Sequence, residues 1–377
     1  MPCLNEADTL AACIEGAQRA LSENNIEGEI IIADNGSTDE SHEIAARAGV
    51  RFVQVKARGY GNALMCGIGA ARGKFIIMGD SDESYDFSAI PRFVEKLREG
   101  YDVVQGCRLP SGGGRLMPGA MPFLHQWVGN PLFSYMARRW FKAPVHDVNC
   151  GLRGFTKEHY EILDQRCTGM EFANEMIIKS SLRGARITEV PITLYRDGRT
   201  SHAPHLRTFR DGWRTLRFYL LYSPRWLFLV PGALLILAGL VGFALGMLSV
   251  TIRGVRLDVH TLIFATLAIL CGYQSIVFAL LTRVFAISEG LMPSDRRITR
   301  FLELASLERG LIAGAVALLA GIAMLAVATN QWREVNFGDL DYTRTMRWVI
   351  PGAMLTALGF QTILSSFLIS MFRVHRR

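Results

Sequence analysis

Four stretches toward the carboxyl end, at about 227–250, 259–282, 310–329 and 348–372, carry almost no charge. Each is close to the ~20 residues an α-helix needs to cross the hydrocarbon core of a bilayer. Soluble cores do not bury helices that long and that uniformly apolar. The chain is therefore expected to divide into an α-helical membrane domain of four transmembrane helices at 226–377 and a separate domain ahead of it. The 50% of hydrophobic residues is spread to match, because the first ~225 positions alternate short apolar runs with polar punctuation.

Between the two parts, residues 206–225 place Leu206, Phe209, Trp213, Leu216 and Leu220 on one helical face, with Arg207, Arg210, Arg214 and Arg217 interleaved. That pattern predicts an amphipathic interfacial helix. With the amino-terminal domain inside, the inner flanks hold Arg207, Arg210, Arg214, Arg217, Arg225, Arg283, Arg296, Arg297, Arg300, Arg309, Arg373, Arg376 and Arg377. The outer loops hold only Arg253, Arg256, Arg333, Arg344 and Arg347. The arginine excess orients a multi-pass protein of the cell (inner) membrane with both termini and the first domain cytoplasmic. The net charge of +7 sits largely beside the spans, which suits anionic lipid headgroups. No nucleic-acid-binding motif accompanies it. Seven cysteines without a CxxC pair or zinc spacing read as reduced thiols facing the cytosol. With no signal peptide, targeting falls to the first span.

Residues 1–205 alternate strand and helix. Leu10, Cys13, Ile14, Ala17 and Leu21 form a helical face behind a cap at Asp8 or Thr9. A buried strand from Glu29 to Ala33 runs into Asp34-Asn35-Gly36-Ser37-Thr38-Asp39, where Gly36 supplies a turn and Ser37 a cap for a helix reaching Gly49. A strand from Val50 to Val55 leads to Arg58-Gly59-Tyr60-Gly61-Asn62. Glycines there allow a backbone to approach a diphosphate, with Arg58 adding charge, although a plain tight turn explains the same residues. A helix from about Ser88 to Glu99 and a strand from Tyr101 to Gln105 follow. Such alternation argues a doubly wound, mainly parallel α/β sheet.

Within this frame the apolar run Phe75 to Met78 ends abruptly in Gly79-Asp80-Ser81-Asp82. Two carboxylates at the carboxyl edge of a buried strand stand where open α/β sheets bind ligands. They can share one Mg²⁺ or Mn²⁺ that keeps other positions for water and phosphate oxygens. Alternatively, Asp82 or Ser84 caps the next helix and Asp80 sits in a turn.

Pro2-Cys3-Leu4-Asn5-Glu6, the 34–39 segment, Arg58-Gly-Tyr-Gly-Asn-Ala63, Gly79-Asp-Ser-Asp82, Gly106-Cys-Arg108 and Asp147-Val-Asn-Cys-Gly151-Leu-Arg-Gly-Phe155 occur in an order that resembles family 2 glycosyltransferases. More closely, the chain is similar to the polyprenyl-phosphate hexose synthases of the dolichol-phosphate-mannose synthase type. The order is far more specific than any one motif. The resemblance implies a GT-A, Rossmann-like nucleotide-sugar domain over 1–205. That family has a strand ahead of Pro2. This sequence has none there, so a start assigned too late or a truncated chain is expected.

The resemblance also implies roles. Pro2, Leu4, Glu6 and Asp34 would line the nucleotide, while Asp80 and Asp82 hold the metal. Ser84 stands at a third ligand position, commonly Gln in the family. Glu175 matches an acidic position near the donor sugar. Arg108 and Arg199 match positions that hold acceptor phosphate, and His202 stands where a Lys is usual. Asp82, Arg108 and Glu175 are expected to carry catalysis.

A lipid phosphate is already anionic near neutral pH, with a second pKa of roughly 6, and attacks without a general base. It needs cationic clamping, for which Arg108, Arg115, Arg199 and His202 are candidates. Met117 to Trp140 is an apolar amphipathic stretch that suits either a bilayer surface or core packing. Glu171 suits a solvated face, and His125 and His146 lack metal spacing.

The expected reaction is inverting transfer of one hexose from UDP-glucose or GDP-mannose to undecaprenyl or dolichyl phosphate. The partners are a nucleotide-sugar, a polyprenyl phosphate and the membrane, with self-association allowed and nucleic acid excluded. Other lipid acceptors stay open. A polysaccharide synthase is disfavoured because its Gln-x-x-Arg-Trp motif has Met136 before Arg139-Trp140 and Tyr222 before Arg225-Trp226. A non-catalytic scaffold of the same fold is the remaining alternative.

Overall fold

The computed structural model describes residues 1–200, 208–288 and 306–374. Two compact units emerge, Met1–Tyr219 and Leu220–Arg377.

In the first unit, α1 (Leu10–Glu23) buries Leu10, Cys13, Ile14, Ala17 and Ala20 along one stripe. Each fully buried Leu or Ile on such a face contributes about 1.5–3 kcal/mol. The stripe covers a parallel sheet of order β1-β2-β3, formed by β1 (Pro2–Cys3), β2 (Ile31–Asp34) and β3 (Arg51–Gln54). Pro2 pairs with Ala33, and Ile32 with Phe52. α2 (Ser41–Arg47) connects β2 to β3, and α3 (Tyr60–Ala70) follows β3.

The second sheet contains β4 (Phe75–Met78), β5 (Val103–Cys107), β7 (Arg153–Thr156) and β8 (Ile187–Pro191), in the order β4-β7-β5-β8. β5 and β8 are parallel, and β7 runs antiparallel to both β4 and β5. A short parallel pair joins β6 (Arg115–Leu116) to β9 (Thr193–Leu194). Helices α4 (Ile90–Arg98), α5 (Asn130–Phe141), α6 (Lys157–Leu163) and α7 (Phe172–Leu182) complete the layers, with α8 (Thr208–Tyr222) at the unit's end. The sheets are mainly parallel, as the alternation predicts. Two side-chain bonds stitch the first sheet to the end of β4: Ser81 Oγ donates to Pro2 O at 2.7 Å, and Thr9 Oγ1 donates to Ser81 O at 2.6 Å.

Three local expectations are corrected. Pro2 and Cys3, read as loop, are strand: Ala33 N donates to Met1 O and Met1 N to Ile31 O. Ser37 caps no helix, because α2 starts at Ser41; Ser37 Oγ instead accepts from Asn5 N. Thr9 precedes α1 without a side-chain cap, its hydroxyl being directed to Ser81. The antiparallel β7 is an addition, and it was hidden by Arg153, which is 0% exposed in mid-core. Its guanidinium donates to the carbonyls of Ala173, Val148 and Cys150.

Among the described residues of the second unit, four helices are long and apolar enough to cross a membrane: Arg225–Met247, Val259–Ile287, Leu307–Glu334 and Tyr342–Phe372. They belong to α9 (Val230–Met247) with the turn before it, α10 (Val259–Ser288), α11 (Leu307–Glu334) and α12 (Tyr342–Val374). Small residues let the backbones approach closely. A Cβ on Gly321 of α11 would stand 2.5 Å from Thr356 N of α12. A two-residue hairpin, Thr251–Ile252 with Val255–Arg256, joins α9 to α10, and both its central residues, Arg253 and Gly254, have positive φ.

Arg153→Leu removes the guanidinium donors of three buried carbonyls, of which Cys150 O keeps Gln105 Nε2, and is expected to cost about 3 kcal/mol. The check is a melting temperature several degrees lower for the purified full-length protein in detergent.

Candidate active site

β4 delivers its carboxylates to the sheet edge through Gly79. Asp80 Oδ1 accepts from Tyr60 Oη at 2.8 Å. Its Oδ2 lies against Gly151, where a Cβ would stand only 2.6 Å away. Burial, reinforced by the neighbouring Asp82 charge, pushes the Asp80 carboxyl up to about 6. Asp82 Oδ1 accepts from Ser84 N at 3.1 Å and from Ser84 Oγ at 2.5 Å. Ser84 thus directs its hydroxyl proton to Asp82.

One guanidinium serves three carboxylates here. Arg199 Nε donates to Glu6 Oε2 at 2.7 Å, Nη1 to Asp197 Oδ2 at 2.8 Å and Nη2 to Asp82 Oδ2 at 3.1 Å. Its side chain is 10% exposed and those of Glu6 and Asp82 are 5% and 13%. With Asp80 beside them, the acids outnumber the one cation. The excess negative charge calls for a further cation. Among the described residues no group of three or more His, Cys, Asp or Glu is placed to hold an ion. Asp80 and Asp82 are the carboxylates that could hold an Mg²⁺ or Mn²⁺, an ion that takes its other oxygens from water and phosphate.

The turns after β2 and β3 are built from backbone held by side chains. Asp34 is buried, and its carboxylate accepts from Gly36 N and Ser37 N, which shapes the turn after β2. Asn35 joins this turn to the next loop: Nδ2 donates to Ala57 O and Oδ1 accepts from Gly59 N. Gly61 N donates to Thr168 O at 2.9 Å, and a Cβ on Gly61 would stand 2.3 Å from Cys167 O. Pro2 and Leu4 are half-buried, and Arg58 is exposed.

Glu175 is placed away from the open edge. It is 0% exposed, paired with Lys179 at 2.7 Å, and it accepts from Arg166 N and Cys167 N. It anchors the loop that abuts Gly61. The structure thus connects Glu175 to the glycine loop through Cys167 and Thr168, a link that no spacing in the chain announces.

Arg108 follows β5 and is nearly buried. Nε and Nη2 grip Asp147 at 2.7 and 2.9 Å, and Arg108 N donates to the same carboxylate at 3.0 Å. The Asp147 pairing holds the guanidinium charged well above the ordinary range. Asp147 N and His146 N donate to Glu189 Oε1 of β8, and His146 Nδ1 lies 2.6 Å from Glu189 Oε2. Arg115 is exposed on β6. His202 lies outside the described residues. Sequence reasoning assigned no role to Tyr60, Asn35 or Glu189; Tyr60 and Asn35 stood inside motifs already singled out, at 58–63 and 34–39, and Glu189 carried no signal.

Residues 1–163 match glycosyl transferase family 2, and residues 280–373 match the glycosyltransferase family 2 C-terminal transmembrane region. With its sheet, carboxylate edge and membrane-length helices, the fold is that of a GT-A enzyme joined to a membrane domain. The chain belongs to glycosyl transferase family 2. The low-salt glycan biosynthesis hexosyltransferase Agl6 of Haloferax volcanii is 36% identical over 371 residues, 98% of this chain and 87% of that protein. The dolichyl-phosphate hexose transferase of the same organism is 33% identical over 170 residues, covering 45% of this chain and 70% of its own. A crystal structure of glucosyl-3-phosphoglycerate synthase from Mycobacterium tuberculosis aligns with a TM-score of 0.47 at 21% identity, over 58% of this chain and 76% of that one.

A divalent ion held by Asp80 would compete with a proton for the same carboxylate. Because its folded pKa is raised from 3.8 to about 6, the metal-free protein loses stability as pH rises across that window. A divalent ion reverses the loss. The expected thermal shift on adding Mn²⁺ is large at pH 7.5 and small at pH 5, with affinity falling about tenfold per unit below pH 6. Equal shifts at both values would reject the Asp80 site.

Proposed function

We propose that this glycosyltransferase moves one hexose from a nucleoside-diphosphate sugar to a polyprenyl phosphate, with inversion at the anomeric carbon. The observation that carries the reading is the charge pattern at one sheet edge. A carboxylate pair suited to a hard cation stands beside two buried arginines, Arg108 and Arg199, suited to phosphate. The hexosyltransferase and dolichyl-phosphate hexose transferase names of the two relatives support the same class.

Asp80 and Asp82 would hold the ion, which supplies charge neutralisation for the departing nucleoside diphosphate. Tyr60 and Ser84 keep the two carboxylates in place. Positive charge at Asp82 weakens the hold of that residue on Arg199 and leaves Nη2 for an anionic oxygen of the substrate. Arg108 grips Asp147 through Nε and Nη2; none of its named bonds uses Nη1, which stays available to the acceptor phosphate. The acceptor is already an anion, so no side chain has to remove a proton from it. The turn at Asp34 and the loop at Gly59 to Gly61 present backbone to the nucleotide and its diphosphate.

The acceptor class also suits the surface. Phe123 is 75% exposed and Trp127 63%, with Leu124, Val128, Leu132 and Tyr135 continuing the same helical stripe. On α8, Thr215, Phe218 and Tyr219 are buried while Phe209 and Trp213 stay exposed. His125 Nε2 lies 2.9 Å from Thr208 Oγ1, which joins the two segments. Aromatic faces of this kind enter the headgroup region of a bilayer. The arginine distribution supports a cytoplasmic side for the unit, where nucleotide-sugars are supplied.

Membranes containing the protein are expected to convert UDP-glucose or GDP-mannose only when polyprenyl phosphate and a divalent cation are both present. Asp82→Asn should lower turnover at least 100-fold with the melting temperature unchanged; near-normal turnover would sink the metal role. Paired Phe123→Ser and Trp127→Ser changes should raise the KM for the lipid several-fold and leave donor affinity alone, measured in vesicles.

A further inference from the structure

Buried in the first unit is a chain of side-chain amides that the reaction does not use. Tyr219 Oη of α8 donates to Asn174 Oδ1 of α7 at 2.8 Å. Asn174 Nδ2 donates to Asn149 Oδ1 at 2.9 Å, and Asn149 Nδ2 donates to Asn130 Oδ1 at 2.8 Å. Asn130 Nδ2 ends the chain on Met121 Sδ at 3.0 Å. Tyr219, Asn174 and Asn130 are 0%, 2% and 8% exposed. Every donor points the same way, so each bond polarises the next, and no amide can flip without breaking two of them.

The position of Asn149 gives the chain its meaning. It lies two residues after Asp147, whose carboxylate holds Arg108, and two before Gly151, which sits against Asp80 Oδ2. The backbone of this loop is tied on its other sides as well. Gln105 Nε2 donates to Asp147 O and Cys150 O, Ser134 Oγ accepts from Val148 N, and Tyr85 Oη accepts from Gly151 N. Those bonds keep the loop close to the sheet. Ser134 ties the loop to the middle of α5, and the amides carry the connection on to the start of α5 and to α8. Asn130 begins α5, next to the turn carrying Trp127, and Tyr219 lies on the helix carrying Trp213.

We propose that Asn149 is a positioning residue: with Asn130, Asn174 and Tyr219 it sets the Asp147–Arg108 clamp and the Gly151 support of Asp80 from the two segments that expose aromatic side chains. The inference rests on the acceptor role of Arg108 in the function proposed above. Its consequence is that Tyr219, which touches neither substrate nor Arg108, acts on turnover through the loop. A residue that served only to fill the core would affect stability alone.

The test uses the full-length protein in lipid nanodiscs. Tyr219→Phe keeps the ring among Phe133, Trp140 and Phe141 and removes one donor. It is expected to lower kcat on the order of tenfold with the nucleotide–Mn²⁺ affinity unchanged, and to speed amide hydrogen exchange at residues 147–151. Asn149→Ala should do the same more strongly, and the double variant should match Asn149→Ala rather than multiply the losses. In an Arg108→Lys background Tyr219→Phe should have no further effect on kcat. Unchanged exchange at 147–151 in Tyr219→Phe overturns the proposal, as does a kcat loss that multiplies with Arg108→Lys. If Asn149→Ala does not fold, Tyr219→Phe carries the decision. If the wild type transfers no hexose, the function proposed above fails, and the exchange measurement still decides the amide chain.

Discussion

Four carboxylates, those of Glu6, Asp80, Asp82 and Asp197, converge at one edge of the sheet around a single guanidinium, and the rest of the site is arranged to bear that charge. Buried anions require partners. Arg199 supplies a nitrogen to each of three of them, and Tyr60 supplies a hydroxyl to the fourth. The remaining excess of negative charge suits the divalent cation proposed for this site. Burial first, and the neighbouring Asp82 charge second, raise the Asp80 carboxyl above its ordinary range. Apart from the two aspartates, the elements nearby serve mainly to hold polar groups at fixed places.

Most of that holding passes through loop 146–151. Its amides and carbonyls go to Glu189, Ser134, Gln105, Arg153 and Tyr85, five side chains from different elements. A loop bound at so many points behaves as part of the core, although it has no regular secondary structure. Arg108 inherits this rigidity through Asp147. Asp80 inherits it through the close approach of Gly151, where any larger residue would displace the carboxylate. Glu175 plays a comparable part for the 166–168 loop, which packs against the glycine turn at Gly61.

The two units solve different solvent problems. In the first, the buried faces of α1, α4 and α7 meet the sheets, and large apolar residues remain exposed mainly on the 123–135 segment and the start of α8. In the second, the helices present apolar side chains outward, as Leu237, Phe264, Leu319 and Phe360 show, and use small residues to approach one another. Hydrophobic burial orders the first unit, while close van der Waals contact and bonds such as Tyr273 Oη to Thr362 Oγ1 order the second.

Local pattern was enough to read much of this chain. The four spans, the α1 stripe, the run Phe75 to Met78 and the aspartates that end it all follow from periodicity and from a few residues in order. Each depends on neighbours no more than a turn or two away. What tertiary structure decided was the pairing of polar groups far apart in the chain. Asp82 with Arg199 is 117 residues distant, Glu6 with Arg199 193, and Asn149 with Asn174 25. A buried arginine in β7 and a glutamate turned inward at 175 contradict what composition favours for such residues, and only the carbonyls and amides brought there by topology make them stable. Side-chain type declares what a residue can bond; the fold alone supplies the partner, because burial makes that partner obligatory.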